Sequence, residues 1–334
     1  MSASIGTAGA IRTRPSDLLV AWARRNAWTL GLLGFLVLLL LFTKFIQPRY
    51  GVTGVQGLAI SVLPLALAAV AQAVVVIGGG IDLSIGSMMA LTSVVSATLM
   101  KGQSEEYGVA VVLGVLLLGL VLGAVNGGVV VVTRVPDIVV TLAMSFVWAG
   151  SALLVRASPG GGAAQWLKDL VTGSIGNEWI PRAAITLVVV VALIWIPVRR
   201  SMHGLSIYAI GSNRLAAFRS GVPIGRTKIM AYLLTGLFAA LAGLSLTAST
   251  GIGTPVPGPY TLLSVAAVVL GGVSLAGGRG SVFGPIVAVV VLQLIRTDMT
   301  FLNINSNLAV VAQGVILIGV VMFGSLIQMR RDRG

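Results

Sequence analysis

Long apolar runs divided by short basic connections are the feature that most constrains this chain. The runs Leu30 to Phe42 and Val109 to Val132, with their flanking residues, are long enough to cross a hydrocarbon core of about 30 Å. Because backbone groups in lipid must satisfy their own hydrogen bonds, such runs fold as helices. Hydrophobic residues make up 57% of the 334, charged residues 9%, and the mean hydropathy is +1.02. The sequence therefore predicts an all-α, polytopic membrane helix bundle.

Hydropathy and helix-breaking residues predict about ten transmembrane helices within a region at 27–328, with broken or re-entrant glycine-rich segments. A segment at 1–26 precedes this region, with an amphipathic helix at 16–25 lying on the inner face, and a tail at 329–334 follows it. The sixth and eighth spans are short enough to be tilted, buried or partly re-entrant. The spans are expected at approximately 27–46, 57–77, 84–100, 108–132, 136–156, 182–197, 228–249, 260–273, 281–297 and 307–328.

Basic residues cluster at alternate ends of these spans. When ten spans are threaded from an inside N-terminus, 15 of the 22 Lys and Arg fall inside. This positive-inside pattern predicts a bacterial inner-membrane protein with both termini cytoplasmic, and it explains the net charge of +13 without nucleic acid as a partner. It makes 198–227 a cytoplasmic loop and 157–181 a periplasmic loop, the latter with a flexible glycine-rich start and a short helix from Ala163 to Val171. The acidic residues expected outside are Glu105, Glu106, Asp169, Glu178 and Asp298.

A glycine-rich break at 76–87 places polar groups within the apolar sequence. It contains three successive glycines, each costing a helix about 1 kcal/mol relative to alanine, followed by Asp82, Ser84 and Ser87. A charge near the bilayer centre costs about 2.5–3.5 kcal/mol, so such a residue is usually paired, facing water or functional. We therefore predict that this break interrupts a spanning helix and forms part of a solute pathway or gate. The alternative is a structural role, in which Asp82 or Ser84 caps the helix beginning near Ile85.

Four amides lie inside apolar spans and must each find a partner or water. An interhelical hydrogen bond is the favoured role for each, although Gln72 and Asn126 are also candidates for the pathway. The other two are Gln293 and Gln313.

A second segment, 271–278, resembles the break, because Gly-Gly-Val-Ser-Leu there parallels Gly-Gly-Ile-Asp-Leu at 79–83. If the halves are duplicated, the two broken segments face one another across an axis and Ser274 joins the pathway candidates. The alternative is that the two segments are alike by chance, because glycine pairs are common in membrane sequences, and the sequence does not favour either explanation.

Glycines spaced by four suggest close helix packing, at Gly119, Gly123 and Gly127 and again at Gly280 and Gly284. Packing within one subunit is favoured over a seam between two.

The loop segment 204–222 predicts an exposed cytoplasmic helix. Asn213 can cap a helix from Arg214 to Ser220 that Gly221 ends. Its apolar and basic side chains suit a groove on a cytoplasmic partner, with a connector lying on the bilayer surface as the alternative.

Residues for catalysis or metal binding are not predicted. The chain has no cysteine and one histidine, His203, and 277–281 lacks the spacing of a phosphate-binding loop. An energy-consuming reaction would belong to another subunit.

Three segments together resemble the permease subunits of bacterial ABC importers for sugars such as ribose, xylose, arabinose and galactose. They are Gly79-Gly80-Ile81-Asp82-Leu83-Ser84, Tyr208 to Asn213 with Ala216, Ala217 and Gly221, and Ala266 to Gly278; Val135-Pro136 with Thr141-Leu142 also fits. The similarity runs from about residue 50 to the C-terminus.

This resemblance implies a second permease subunit, cytoplasmic ATPases that hold ATP and Mg, a periplasmic binding protein and a sugar-like substrate. The chain itself would bind no cofactor. Its departures are Thr261 and Leu263, where the family often has acidic residues, and Ala149, where an arginine is common. A heterodimer or an unusual substrate would fit these departures. The residues implied to couple to the ATPase are Ile210, Gly211, Asn213, Arg214, Ala216, Ala217, Phe218 and Gly221.

Three other functions remain open from the residues. One is a permease of the same type for branched-chain amino acids or nucleosides. Another is an ion-coupled secondary carrier in which Asp82 titrates, and the weakest is a membrane scaffold.

Overall fold

The computed structural model describes residues 27–256 and 258–305, together with isolated positions beyond 307. The predicted amphipathic helix within 1–26, Gln313 in the tenth span and the tail at 329–334 lie outside the described residues.

Twelve helices and one two-stranded hairpin make up the described part of the chain, which confirms the all-α membrane bundle. The helices are α1 Ala27–Ile46, α2 Val52–Ile77, α3 Ile85–Met100, α4 Glu105–Thr133, α5 Asp137–Val155, α6 Gln165–Asp169, α7 Arg182–Arg200, α8 Met202–Ser212, α9 Arg214–Arg219, α10 Ile224–Thr250, α11 Tyr260–Leu270 and α12 Phe283–Phe301; the strands are β1 Ser174–Ile175 and β2 Asn177–Pro181.

Seven of these helices are long and apolar enough to cross a membrane, namely α1, α2, α4, α5, α7, α10 and α12. Two shorter apolar helices are α3 and α11. These nine correspond to the first nine predicted spans.

Helix α2 is the centre of the bundle. Every residue from Val62 to Ile77 is buried, and the helix packs against α10, α11, α12 and α7. Helix α1 lies at the periphery, with most of its leucines exposed, as expected for a surface that faces lipid.

Glycines allow α4 and α10 to approach closely, as the sequence predicts for packing within one subunit. The backbone of Gly119 lies against Gly236, and Gly123 and Gly127 lie against the backbone of α10 near Tyr232. Small residues are what permit such contacts where lipid provides no hydrophobic drive. The second predicted pair is wrong as a helix face, because Gly280 lies in a turn before α12 begins.

The connections group at two ends of the bundle, as the threading predicts. At one end, which we call the arginine-rich end, lie 78–84, 134–136, 201–223 and 271–282, with basic residues such as Arg134, Arg200 and Arg279. At the opposite end lie 47–51, 101–104, 156–181 and 251–259, near Glu105 and Glu178. Contacts within each end join its loops; at the opposite end Gln56 donates to the Glu178 carbonyl at 2.9 Å.

The loop at 157–181 makes backbone contacts that the sequence did not predict. At its glycine-rich start, which stays a prediction as a flexible segment, Gly160 forms an antiparallel bridge with Gly253 and the Gly162 N–H donates to the Ala97 carbonyl at 2.8 Å. The predicted helix is only five residues, Gln165–Asp169, and an unpredicted hairpin follows it.

Helices α2 and α11 end in the same motif. Gly79 and Gly272 have φ of 79° and 78°, and their N–H groups donate to Val76 and Val269. The next N–H groups donate to Val75 and Val268, which completes a Schellman motif at each end. The geometric match pairs Gly79 with Gly272, one residue out of step with the sequence pairing.

The structure of the break shows that one prediction about it is wrong. It does not interrupt a spanning helix, because α2 has 26 residues and is complete before the glycines begin. From Gly80 the chain turns back into the bundle and reaches the level of Asn126, seven residues or about 10 Å from the end of α4. Helix α11, with 11 residues, is about 16 Å long and too short to cross alone, as a re-entrant segment requires.

Candidate translocation and coupling site

A buried hydrogen-bond chain holds the break against α4 and α5. The Ser84 N–H and hydroxyl donate to Asp82 Oδ1 at 2.7 and 2.6 Å. The Asn126 amide donates to Ser84 Oγ at 2.7 Å, and the Trp148 indole donates to Asn126 Oδ1 at 3.1 Å. Asp82, Ser84 and Asn126 are 0% exposed. The structure thus brings three of the predicted pathway residues together.

Thr141 fixes the same segment from α5. Its hydroxyl accepts from the Leu83 N–H at 3.0 Å, and its hydrogen is shared between the Asp137 carbonyl at 2.9 Å and the Ile81 carbonyl at 3.1 Å. Because the Leu83 N–H and the Ile81 carbonyl lack a helical partner, this single side chain contacts two groups of the irregular backbone.

The remaining pathway candidates lie apart. The Ser87 hydroxyl donates to the Ser84 carbonyl within the first turn of α3. Gln72 is fully buried in α2, and its amide atoms have no hydrogen-bond partner among the described residues. Ser274 lies in the turn after α11, where its backbone pairs with Gly277 and Arg279. Of the other amides, Gln293 donates to the Ser61 carbonyl at 2.8 Å, the predicted interhelical bond.

An ion pair joins α5 to α10 beside the break. Lys228 Nζ lies 2.6 Å from Asp137 Oδ1, and the Tyr232 hydroxyl donates to Asp137 Oδ2 at 3.1 Å. The two charged side chains are only 15% and 13% exposed. Gly80 packs against the same carboxylate, where a side chain would collide with it. The segment after α2 is therefore seated on the ion pair.

Four glycines form a junction between the broken segments and the predicted coupling loop. We call Gly79, Gly211, Gly277 and Gly278 the glycine junction. The Gly278 N–H donates to the Ile77 carbonyl at 2.8 Å. A Cβ on Gly277 would lie 2.9 Å from the Gly79 Cα, and one on Gly211 would overlap the Ile77 carbonyl oxygen. Only glycine allows the three backbones to meet here.

Tyr208 reinforces this junction from α8. Its hydroxyl donates to the Gly280 carbonyl at 2.9 Å. Burial raises the pKa of the Tyr208 phenol above its ordinary value, although Arg199 opposes the shift. The phenol therefore remains a hydrogen-bond donor at physiological pH.

Helix α9 has the predicted cap and end. Asn213 Oδ1 accepts from the Ala216 N–H at 2.9 Å, and Gly221, with φ of 82°, ends the helix in a Schellman motif. Leu215 and Phe218 are 59% and 67% exposed beside two exposed arginines, whereas Ala217 is 5% exposed.

The coupling residues therefore divide into two groups. Arg214, Ala216 and Phe218 are exposed at the surface of α9. The buried Ile210 and Ala217 are not available to a partner in this structure, and Gly211 contacts the glycine junction.

Comparison with known proteins identifies the family. Residues 54–323 match the sequence profile of the family described as "Branched-chain amino acid transport system / permease component". The ribose import permease protein RbsC of Escherichia coli K12 is 32% identical over 261 residues, which cover 77% of this chain and 81% of RbsC. The Bacillus subtilis RbsC is 31% identical over 87% of this chain and 90% of its own. The chain belongs to the permease family of sugar ABC importers.

Two further results complete the comparison. The autoinducer 2 import system permease protein LsrD of Escherichia coli is 27% identical over 92% of this chain and 95% of LsrD. No solved structure matches. As an ABC importer permease, the chain is a transport subunit and not an enzyme.

Sequence reasoning missed several groups of this permease site, namely Asp137, Trp148, Lys228 and Tyr232, and it noted Thr141 only as part of the family resemblance, without a role. Asp137 and Lys228 are opposite charges that each begin a span at the same end, which was a usable signal for pairing. Trp148 gave none, because a tryptophan in an apolar helix is ordinary. Thr261, at a position often acidic in this family, accepts the Gly86 N–H at 3.0 Å and so joins α11 to the start of α3.

Proposed function

We propose that this permease imports a sugar or sugar-like solute into the cytoplasm, driven by ATP hydrolysis on a partner ATPase. The relatives named for ribose and autoinducer 2 import support this substrate class. A second permease subunit and a periplasmic binding protein would complete the assembly, and the arginine-rich end would face the cytoplasm of a bacterial inner membrane.

The exposed surface of α9 is the observation that carries the coupling proposal. It presents Leu215 and Phe218 between Arg214 and Arg219 at the arginine-rich end, and it is rigidly capped at both ends. Short helices with this pattern suit an apolar groove rimmed by acidic residues. We expect the ATPase to grip this surface.

The glycine junction connects the α9 surface with the proposed pathway. Gly211 lies two residues before the Asn213 cap and touches the ends of both broken segments. A push on α9 would therefore move 78–84 and 271–280 together, and the first of these holds Asp82 and Ser84. Alternating access would follow as the broken segments shift against α4 and α5.

The experiment is ATP-driven uptake by the complex reconstituted in vesicles with its ATPase and binding protein. Labelled ribose, xylose and galactose are compared with leucine and adenosine, with ATP or with a proton gradient alone. We expect uptake of a sugar with ATP only. Uptake of leucine or adenosine would replace the substrate class, and uptake with the gradient alone would replace the ATP-driven mechanism.

A pair of variants tests the coupling surface. Arg214→Glu reverses a charge on α9, whereas Arg134→Glu reverses an exposed charge in a different loop at the same end. We expect Arg214→Glu to lower substrate-stimulated ATP hydrolysis at least about tenfold, as for a residue central to an interface, and Arg134→Glu to leave it near wild type. Equal activity of the two variants would show that α9 is not the docking surface.

A further inference from the structure

A basic pocket lies between α7 and α12, and none of its lining residues belongs to the break or to the α9 surface. It is a cavity of about 290 Å³ lined by Trp195, Ile196, Arg199, Arg200 and Phe283. Four of these residues form the last turns of α7 and the fifth begins α12, so the pocket opens at the arginine-rich end. The proposed function assigns it no role.

The first argument for a bound ligand is the positive charge of the pocket. Arg199 and Arg200 are adjacent and exposed, and no described carboxylate pairs with either. At this end Asp137 is taken by Lys228, and Asp82 is buried against Ser84. The two positive charges are thus not neutralised by a described carboxylate, although Arg199 also interacts with the Tyr208 hydroxyl.

An unsatisfied donor is the second property. The Trp195 side chain is 0% exposed, and its indole N–H has no acceptor among the described residues. Buried donors are nearly always paired, so an unpaired one calls for an explanation. Trp195 is also one of the residues that line the pocket, and we infer that its acceptor is an oxygen of a ligand bound there.

The apolar part of the wall is the third property. Phe283 is 49% exposed beside Ile196, and α7 continues away from the pocket with Val188 and Leu193 exposed at 66% and 71%. This surface suits acyl chains. A free anion would use the arginines and leave Phe283 in water.

We propose that the basic pocket binds the headgroup of an anionic phospholipid. The phosphate would pair with Arg199 and Arg200, a headgroup or ester oxygen would accept from Trp195, and an acyl chain would lie along Ile196 and Phe283. Basic pockets between spanning helices on the cytoplasmic side bind anionic headgroups by these contacts. The assignment to the cytoplasmic leaflet rests on the orientation in the proposed function, whereas the site itself does not.

Such a lipid would brace the base of the coupling loop. Arg200 is followed at once by Ser201, the cap of α8, and α8 carries Tyr208 to the glycine junction. Occupancy of the pocket would therefore stiffen the connection between α7 and the loop that the ATPase grips.

The experiment measures lipid retention by the purified permease complex. It is placed in nanodiscs of phosphatidylcholine, with or without phosphatidylglycerol, and bound lipid is counted by native mass spectrometry while thermal unfolding is followed. We expect phosphatidylglycerol to be retained and to raise the unfolding temperature. Arg199→Gln with Arg200→Gln should weaken retention about thirtyfold, the factor expected for two basic residues, whereas Arg226→Gln at the start of α10 should not.

Trp195→Phe separates ligand binding from packing. It removes the N–H but keeps most of the ring, so unfolding in phosphatidylcholine should stay near wild type while stabilisation by phosphatidylglycerol falls. Equal retention by all variants, or an equal loss in Arg226→Gln, would overturn the site. Competition by inorganic phosphate would make it a soluble-anion site and overturn the lipid assignment. Since neither readout needs ATP or sugar, failure of the proposed transport function would leave this result intact.

Discussion

Ser84 is the central residue of the break, because its hydroxyl has two partners. It donates to Asp82 and accepts from Asn126, so one small side chain connects the segment after α2 to α4 and, through Asn126, to Trp148 on α5. Asp82, Ser84 and Asn126 are all buried, and without the Ser84 hydroxyl the Asn126 amide would lose its oxygen acceptor and Asp82 one of its two donors. One carboxylate oxygen of Asp82 accepts from the backbone and side chain of Ser84, the residue before α3. The first N–H groups of α3 receive no side-chain cap, so the structure does not show the capping alternative.

Ser84→Ala should destabilise the permease by about 1–3 kcal/mol, because the buried Asn126 N–H loses its oxygen acceptor and Asp82 loses one of its two donors. Thermal unfolding in detergent measures the loss. Ser87→Ala is the matched control three residues away, since that hydroxyl donates only to a backbone carbonyl in its own turn. Equal losses from the two substitutions would show that the chain through Asn126 adds nothing.

The ion pair of Asp137 and Lys228 has a different consequence at the residue scale. Its two side chains are nearly withdrawn from water, so removing either one leaves an uncompensated charge beside the break. Gly80 contacts that carboxylate. Any movement of the break must therefore either carry the ion pair with it or separate α5 from α10.

At the scale of elements, the two broken segments begin with the same structural motif. Helices α2 and α11 both end in a Schellman motif with a left-handed glycine, and the turns that follow meet at the glycine junction. The sequence predicted the end of α2 at Ile77, whereas the span predicted at 260–273 continued past the glycines that end α11 at Leu270. The one-residue shift in the match was not predictable, because residues 78–80 are all glycine. Only the backbone angles show that Gly79 is the left-handed one.

Gly211→Ala tests whether this junction transmits movement. A methyl group there would overlap the Ile77 carbonyl and lie 2.6 Å from the Gly278 nitrogen, so the loop and the broken segments must separate. We expect solute transported per ATP hydrolysed to fall about tenfold, which corresponds to roughly 1.4 kcal/mol of coupling. Uptake and hydrolysis are measured on the same vesicles.

Gly128→Ala on α4 is the control, because no atom lies within 4 Å of the methyl position there. If Gly211→Ala retains the wild-type ratio of uptake to hydrolysis, the junction is a packing contact and not a transmission element.

Local features of the elements were predictable and contacts between them were not. Asn213 and Gly221 fix α9 through bonds to its own backbone, so a short stretch of sequence contained the whole explanation. The meeting of Ile77, Gly211 and Gly278 joins positions over two hundred residues apart at its extremes, and no periodicity encodes it. The same limit hid the pairing of Trp148 with Asn126.

At the scale of the molecule, hydropathy predicted nine described helices and the loops at each end, because length and charge alone decide them. It failed where loops fold on themselves: the hairpin near Trp179 and the bridge from Gly160 to Gly253 depend on contacts with other helices. The resulting bundle separates two surfaces, the α9 surface at the arginine-rich end and the hairpin at the opposite end. Import requires that these surfaces lie on opposite sides of the membrane.

The absence of cysteine from the sequence allows this requirement to be tested on single labels. Phe218→Cys on α9 and Trp179→Cys on the hairpin both replace exposed side chains, at 67% and 57%. In intact spheroplasts, a membrane-impermeant maleimide should label Trp179→Cys and leave Phe218→Cys unlabelled until the membrane is permeabilised, because the proposed orientation, based on the positive-inside bias, places the arginine-rich end in the cytoplasm. Labelling of Phe218→Cys from outside would show that the proposed ATPase docking surface does not face the cytoplasm, the compartment that contains ATP. Labelling of both positions from outside would show that the two ends do not lie on opposite sides, and the alternating-access proposal would fail with the orientation.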